Sequence, residues 1–254
     1  MTVLPAVLVT GGATRIGRSI VTNLAAKGYP VAIHANRSIE EADTLADLLR
    51  ADGARANSVA ANLMDEDETG QLIMRAREAI GEPIGVLINN ASVFEKDAVE
   101  DFSQRDLDKH MRIHVGAPAQ LTALLAHHLP ADARGMIVNM IDQRVKRLTP
   151  HFFTYTLSKS AQWTMTQTAA LALAPRIRVN AVGPGPTLKN ARQSDADFDK
   201  QVRAVPLQRG PAMDEFADTI DYLWNAKSVT GQLICLDGGQ HLAWETPDVL
   251  GINE

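Results

Sequence analysis

Cysteine is almost missing from this chain: Cys235 is the only one among 254 residues, so no intrachain disulfide can form. It lies in the apolar run Gln232-Leu233-Ile234-Cys235-Leu236, where it reads as a small buried hydrophobe. Such usage suits a reducing compartment, and a cytoplasmic setting is expected. No apolar stretch approaches the ~20 residues that span a bilayer. Residues 1–10 lack the positively charged start of a signal peptide, and no membrane is expected as a partner. A basic block is missing as well. Lys and Arg total 25 against 30 Asp and Glu, a net charge of −5, which argues against nucleic acid. His127 and His128 are adjacent and so face different sides of a helix, with no Cys or third His nearby, and no metal is expected. Charge runs, low-complexity tracts and shifts of composition are absent too. Nothing marks a domain boundary, so residues 1–254 read as one domain.

What is present is a regular alternation. Short β-branched runs at 7–9, 31–33, 56–60, 86–88, 136–140, 177–180 and 232–236 read as strands. Between them, helical periodicity covers 16–27, 39–50, 66–80, 107–128 and 154–174. Gly28 stands where the first helix should end. Ser38 followed by Glu41 has the spacing of a capping box. Strands alternating with helices of this length imply parallel crossovers, and the expected class is α/β, a single Rossmann-type doubly wound sheet of about seven strands with helices on both faces. The stretch 187–206 is rich in charge and short of apolar pattern, and it reads as a mobile substrate lid.

Between the first strand and first helix lies Thr10-Gly11-Gly12-Ala13-Thr14-Arg15-Ile16-Gly17. Glycines there let the backbone turn tightly and approach a pyrophosphate, which the free N–H groups of a helix N-terminus stabilise. Gly11, Thr14, Arg15, Ile16 and Gly17 are therefore candidate cofactor contacts. An acid at the end of the second strand would accept from the 2′-OH of NAD. Here that end reads His34-Ala35-Asn36-Arg37-Ser38. An arginine and a hydroxyl suit a 2′-phosphate instead, so NADP(H) is the expected cofactor. The plainer reading of Arg37 is a solvated side chain at a helix start, where the dipole disfavours a cation.

Tyr155 and Lys159 stand four residues apart on a predicted helix and so share one face. An ammonium beside a phenol favours the phenolate, lowers its pKa and makes it usable near neutrality. With the glycine loop, Asn89-Asn90-Ala91-Ser92, Asn180-Ala181-Val182-Gly183-Pro184-Gly185 and Asp237-Gly238-Gly239, the chain resembles the short-chain dehydrogenase/reductase family over nearly its whole length. The resemblance implies an oxidoreductase in which Tyr155 and Lys159 assist hydride transfer and Lys159 also holds the nicotinamide ribose. It places Asn89, Asn90 and Ala91 along the cofactor, Asn62 and Leu63 towards the adenine, and Pro184 and Gly185 beside the nicotinamide. It also implies a homotetramer built on the long helices at 107–128 and 154–174.

The departures from the family pattern narrow the reading. Most members carry serine 13 residues before the tyrosine, where this chain has Asp142, and glycine where it has Arg15. With Ser92-Val93-Phe94 and His34, Arg37 and Ser38, this looks like the pteridine reductase branch, and like the dihydromonapterin and dihydrofolate reductases of the family. There Asp142 partners Tyr155 in proton delivery, Phe94 stacks on the pterin, and Ser92 and Arg15 help place pterin and phosphates. A flat, electron-poor pterin suits an aromatic face, and reducing its C=N bond needs a hydride on carbon and a proton on nitrogen. Asp142 as a turn residue and Phe94 as rim packing are the plainer readings. Where the family has an asparagine that anchors a relay water, this chain has His114, which either holds that water, titrates or simply packs. Arg144, Lys146 and Arg147 form a basic cluster that either draws an anionic substrate tail or is a solvated loop. Two further functions stay open: a carbonyl reductase for ketones or 3-oxoacyl groups, and a non-catalytic NADP(H)-binding scaffold or sensor.

Overall fold

A computed structural model describes residues 4–189 and 192–244. Residues 190 and 191 of the expected lid, and both ends of the expected domain, lie outside the described residues. The alternation in the sequence becomes β1 (Ala6–Val9), α1 (Arg15–Ala26), β2 (Val31–Ala35), α2 (Ile39–Ala51), β3 (Ala56–Ala60), α3 (Glu66–Ile80) and β4 (Ile84–Asn89). The second half runs α4 (Gln104–Met111), α5 (Ala117–His128), β5 (Gly135–Met140), α6 (Phe153–Leu173), β6 (Ile177–Pro184), α7 (Asp195–Arg203), α8 (Glu215–Asn225) and β7 (Leu233–Leu236). The strands pair in parallel in the order 3-2-1-4-5-6-7. This is the doubly wound α/β sheet expected from the sequence.

Parallel strands covered on both faces must be apolar on both. Along β1, Val7 and Val9 join a layer with Ile20 and Leu24 of α1 and Phe216 of α8. Ala6 and Leu8 join the opposite layer with Leu72 of α3 and Leu121 of α5. This two-sided packing explains why short continuous apolar runs marked the strands. Strand order reverses between β1 and β4, and the crevice beyond their carboxyl ends is where such a sheet binds ligands.

Several local expectations are corrected. The helix expected at 107–128 runs from Gln104 to His128 without a break, but its middle widens: α4 and α5 are joined by one π-helical turn, Arg112–Gly116. Pro118, in the first turn of α5, has no N–H to offer the carbonyl four residues back, which belongs to His114. Ser38 precedes α2 but makes no side-chain cap bond, because its backbone (φ −93°, ψ 42°) is not in the extended region that a capping box needs. Residues 187–206 are not a featureless loop, for α7 forms inside them. Its Ser194 accepts from the Asp197 N–H at 3.1 Å, and acids in the first turn and Lys200 and Arg203 in the last complement the helix dipole. Caps and charge hold this helix, since none of its residues is buried; an apolar pattern could not have revealed it. Cys235 is half-buried rather than buried, because β7 closes the edge of the sheet. Among the described residues no helix is long and apolar enough to cross a membrane.

The carboxyl end of α8 is capped from the sheet. Arg178 of β6 donates to the carbonyls of Leu223 (2.6 Å), Trp224 (2.9 Å), Ala226 (3.3 Å) and Val229 (3.0 Å). Replacing Arg178 by alanine strips four carbonyls of their donor and should cost about 2–3 kcal/mol. Thermal unfolding should then fall by roughly 5–10 °C; an unchanged midpoint would show that water replaces the guanidinium at no cost.

Candidate active site

A cleft of about 1060 Å³ opens beyond the carboxyl ends of the strands. Of the candidate site residues singled out in the sequence, all line it except Asn89, His114, Lys146 and Arg147. The glycine loop forms one wall. Gly11 has φ +62°, and a Cβ on Gly17 would meet the Gly11 carbonyl at 2.1 Å, so both positions need glycine. Asn90 locks this loop, donating from Nδ2 to the carbonyls of Thr10 (2.9 Å) and Gly11 (3.0 Å). Thr10 Oγ1 accepts the Asn90 and Ala91 N–H groups in return. Asn89 points the other way, into the core, and donates to Asn139 at 2.8 Å; it does not line the cofactor wall as the resemblance implied. The first turn of α1 holds no acid and no side-chain cap, so its N–H groups are left to an anion.

Two residues of this wall do something the sequence did not indicate. Arg15 adopts φ 51° at the head of α1, in the left-handed region that favours glycine. Its guanidinium reaches across the cleft to the carbonyls of Leu188 and Lys189 at 3.3 Å, tying the glycine loop to the segment after β6. His34 is buried beneath the loop. It accepts the Gly11 N–H on Nδ1 at 3.1 Å and meets the Ala61 carbonyl with Nε2 at 3.0 Å. It therefore supports the loop from behind as a neutral ring. Arg37 and Ser38 line the far rim, Arg37 exposed, with Asn62 and Leu63 opposite them.

Asp142, Tyr155 and Lys159 meet at the other end. Tyr155 Oη donates to Asp142 Oδ2 at 3.1 Å. Asp142 Oδ1 accepts the Arg144 N–H at 2.8 Å and opens a short helical turn, so this aspartate is a turn residue and a partner of the tyrosine at once. Lys159 is buried, with Nζ donating to the Met140 carbonyl (2.8 Å) and Gln162 Oε1 (3.1 Å), and 5.8 Å from the Tyr155 ring centre. Burial lowers its pKa to about 7, against a raising contribution from Asp142. The phenol does not follow the sequence expectation. Burial, then Asp142, hold the Tyr155 pKa well above its ordinary value, while Arg144 acts the other way. Burial also raises Asp142, against Arg144 and its hydrogen bonds. The pair thus holds its protons tightly, which suits donors more than a standing base.

The substrate end is walled by aromatic rings. Phe94 stacks on Phe152 (4.5 Å between centres, 10° between planes) and meets Tyr155 edge-on at 4.8 Å. The Arg144 guanidinium lies 4.5 Å from the Phe152 ring centre. Of the basic cluster 144–147, only Arg144 lines the cleft. Phe152 escaped the sequence reading; it sits at φ 60° before α6, held by its N–H on the Asp97 carbonyl at 2.8 Å. A lone phenylalanine before a helix carries no signal of such a role. Gln143 was missed as well. It is buried in the cleft wall, and its Oε1 is without a hydrogen-bond partner among the described residues.

His34 gives the site an acid limit. Burial lowers its pKa from 6.5 to about 4, although the bond to Ala61 opposes this. The unfolded chain binds this proton first, so stability is complete above about pH 6.5 and falls as pH drops towards 4. The loss should reach about 2–3 kcal/mol near pH 4.5. Urea unfolding of wild type and His34→Leu should show a stability gap that narrows by that amount from pH 7 to 4.5. A gap independent of pH would contradict the assignment.

Residues 5–200 match the model of the short chain dehydrogenase family. A FolM alternative dihydrofolate reductase 1 from Brucella suis, solved in complex with NADP, is 50% identical, with a TM-score of 0.94 covering 96% of this chain and 98% of that one. A 3-oxoacyl-[acyl-carrier-protein] reductase from Staphylococcus epidermidis is 29% identical over 241 residues, 92% of this chain and 98% of its own. An uncharacterized oxidoreductase of Mycobacterium tuberculosis is 32% identical over 239 residues, 91% of this chain and 90% of its own. The chain belongs to the short-chain dehydrogenase family.

Proposed function

We propose that the protein uses NADPH to reduce a C=N bond of a pterin or dihydropterin, dihydrofolate included. The observation that carries this reading is the 3.1 Å bond between Tyr155 Oη and Asp142 Oδ2 in a cleft walled by Phe94. The Brucella suis reductase, half identical in sequence, supports both cofactor and substrate class. The glycine loop, the open N-terminus of α1 and exposed Arg37 would hold the dinucleotide, with Asn62, Leu63, Ala91, Pro184 and Gly185 along it. A bound nicotinamide supplies the hydride. Tyr155 delivers a proton to the ring nitrogen, and Asp142, whose carboxyl keeps its proton more readily than usual, returns one to the phenolate. Lys159 keeps a cationic neighbour at the phenol, and Phe94 offers a flat face to the substrate. The second reading, a carbonyl reductase, draws on the Staphylococcus relative.

NADPH oxidation with dihydropterins and dihydrofolate, set against a panel of ketones and 3-oxoacyl thioesters, separates the two. Turnover of pterins with little of ketones is expected, and the reverse would refute the proposal. Tyr155→Phe should lower kcat by about 10²–10⁴; no loss would favour a scaffold or sensor. Arg37→Ala should weaken NADPH by roughly 1.5–3 kcal/mol and leave NADH nearly unchanged.

We also propose a cytoplasmic homotetramer that covers Leu157 and Leu171, both exposed on α6. Light scattering should give the mass of four chains, and a monomer at micromolar concentration would exclude it.

A further inference from the structure

His114 does not line the cleft, yet both of its ring nitrogens are engaged, and their partners assign the ring's tautomer. Nδ1 lies 2.8 Å from Ser158 Oγ, and Ser158 donates its own hydrogen to the Tyr155 carbonyl at 2.7 Å. A hydroxyl has one hydrogen, so Ser158 accepts from His114 and Nδ1 carries a proton. Nε2 receives the Val93 N–H at 3.3 Å and lies 2.9 Å from Ser92 Oγ. Two neighbours on opposite sides of the ring therefore agree: Nδ1 is protonated and Nε2 is bare.

The consequence passes on to Ser92. Against a bare nitrogen, a 2.9 Å contact holds only if the hydroxyl hydrogen lies between the two atoms. The Val93 carbonyl, 3.3 Å from Ser92 Oγ, is the weaker competitor for that hydrogen. Ser92 is exposed in the cleft. Having given its hydrogen inward, it turns lone pairs towards the substrate.

We propose that His114 is a positioning residue that sets the hydrogen-bond polarity of Ser92, making the cleft wall near Tyr155 an acceptor for substrate N–H groups. This rests on the pterin reading above and deepens it. Tyr155 remains the proton donor, and Ser92 selects a heterocycle that carries a ring N–H or amino group near its reducible C=N. A ketone has no N–H to offer this acceptor and gains nothing from Ser92.

Nitrogen-15 NMR of histidine-labelled, NADP-loaded protein reads the tautomer directly: His114 should be protonated on Nδ1, and an Nε2–H signal overturns the proposal. Steady-state kinetics with NADPH and a dihydropterin give the second readout. His114→Asn keeps a partner for Ser158 but stops short of Ser92, and it should raise KM about tenfold with kcat within about threefold. His114→Gln reaches Ser92 with its amide oxygen and should stay near wild type. Ser92→Ala should raise KM by as much as His114→Asn and add nothing to it. An unchanged KM in His114→Asn, or equal losses in the Asn and Gln variants, overturns the inference. If the His114 variants do not fold, the tautomer and Ser92→Ala decide it. Wild type that turns over ketones but no dihydropterin, with the Nδ1–H tautomer intact, overturns the pterin reading instead.

Discussion

Parallel pairing of β1 with β4 is the constraint on which the rest of the structure depends. It sets Val7 opposite Val86 and Val9 opposite Ile88, and it reverses the order in which strands are added. Every loop leaving the carboxyl edge of the sheet near that reversal faces one crevice. The glycine loop, the 90–94 segment, Asp142 and Pro184 come from four different strands and would otherwise have no reason to meet. Asn90 turns this adjacency into a rigid joint, since its side chain bonds the carbonyls of Thr10 and Gly11 across the two strands.

Two buried histidines extend the joint on either side. His34 ties the glycine loop to the end of β3, and His114 ties the 92–93 segment to α6. Each is neutral because burial disfavours the charged ring, and in each a backbone N–H marks which nitrogen is bare. A neutral imidazole joins one donor to one acceptor in a fixed direction. Hydrogen-bond polarity can thus be carried from the core to the cleft without any group there changing charge.

Two of the three non-glycine residues with positive φ among the described residues also line the cleft. Arg15 and Phe152 both adopt left-handed conformations that cost a non-glycine residue on the order of 1–2 kcal/mol. Their side chains face the cleft from opposite ends, Arg15 towards Leu188 and Lys189 and Phe152 against Phe94 and Arg144. Strain of this kind persists where surrounding contacts over-determine it. Here those contacts are the Leu188 and Lys189 carbonyls for Arg15 and the Asp97 carbonyl for Phe152.

The alternation of apolar runs and helical periods determined the α/β class, the strand count and the placing of the glycine loop. These follow from local periodicity and chain order, and both are written in the sequence. Asp142, thirteen residues before Tyr155, is legible only through the family resemblance, which marks that position as one to look at. Only the tertiary structure decided what the neighbours of these residues are. It set a π-helical turn into the helix at 107–128 before Pro118, turned Asn89 into the core and raised the Tyr155 pKa through burial and Asp142. It also made His114 a partner of Ser92 and Ser158. Burial, tautomer and hydrogen-bond direction depend on groups 13 to 50 positions apart in the chain, and no local pattern carries that distance.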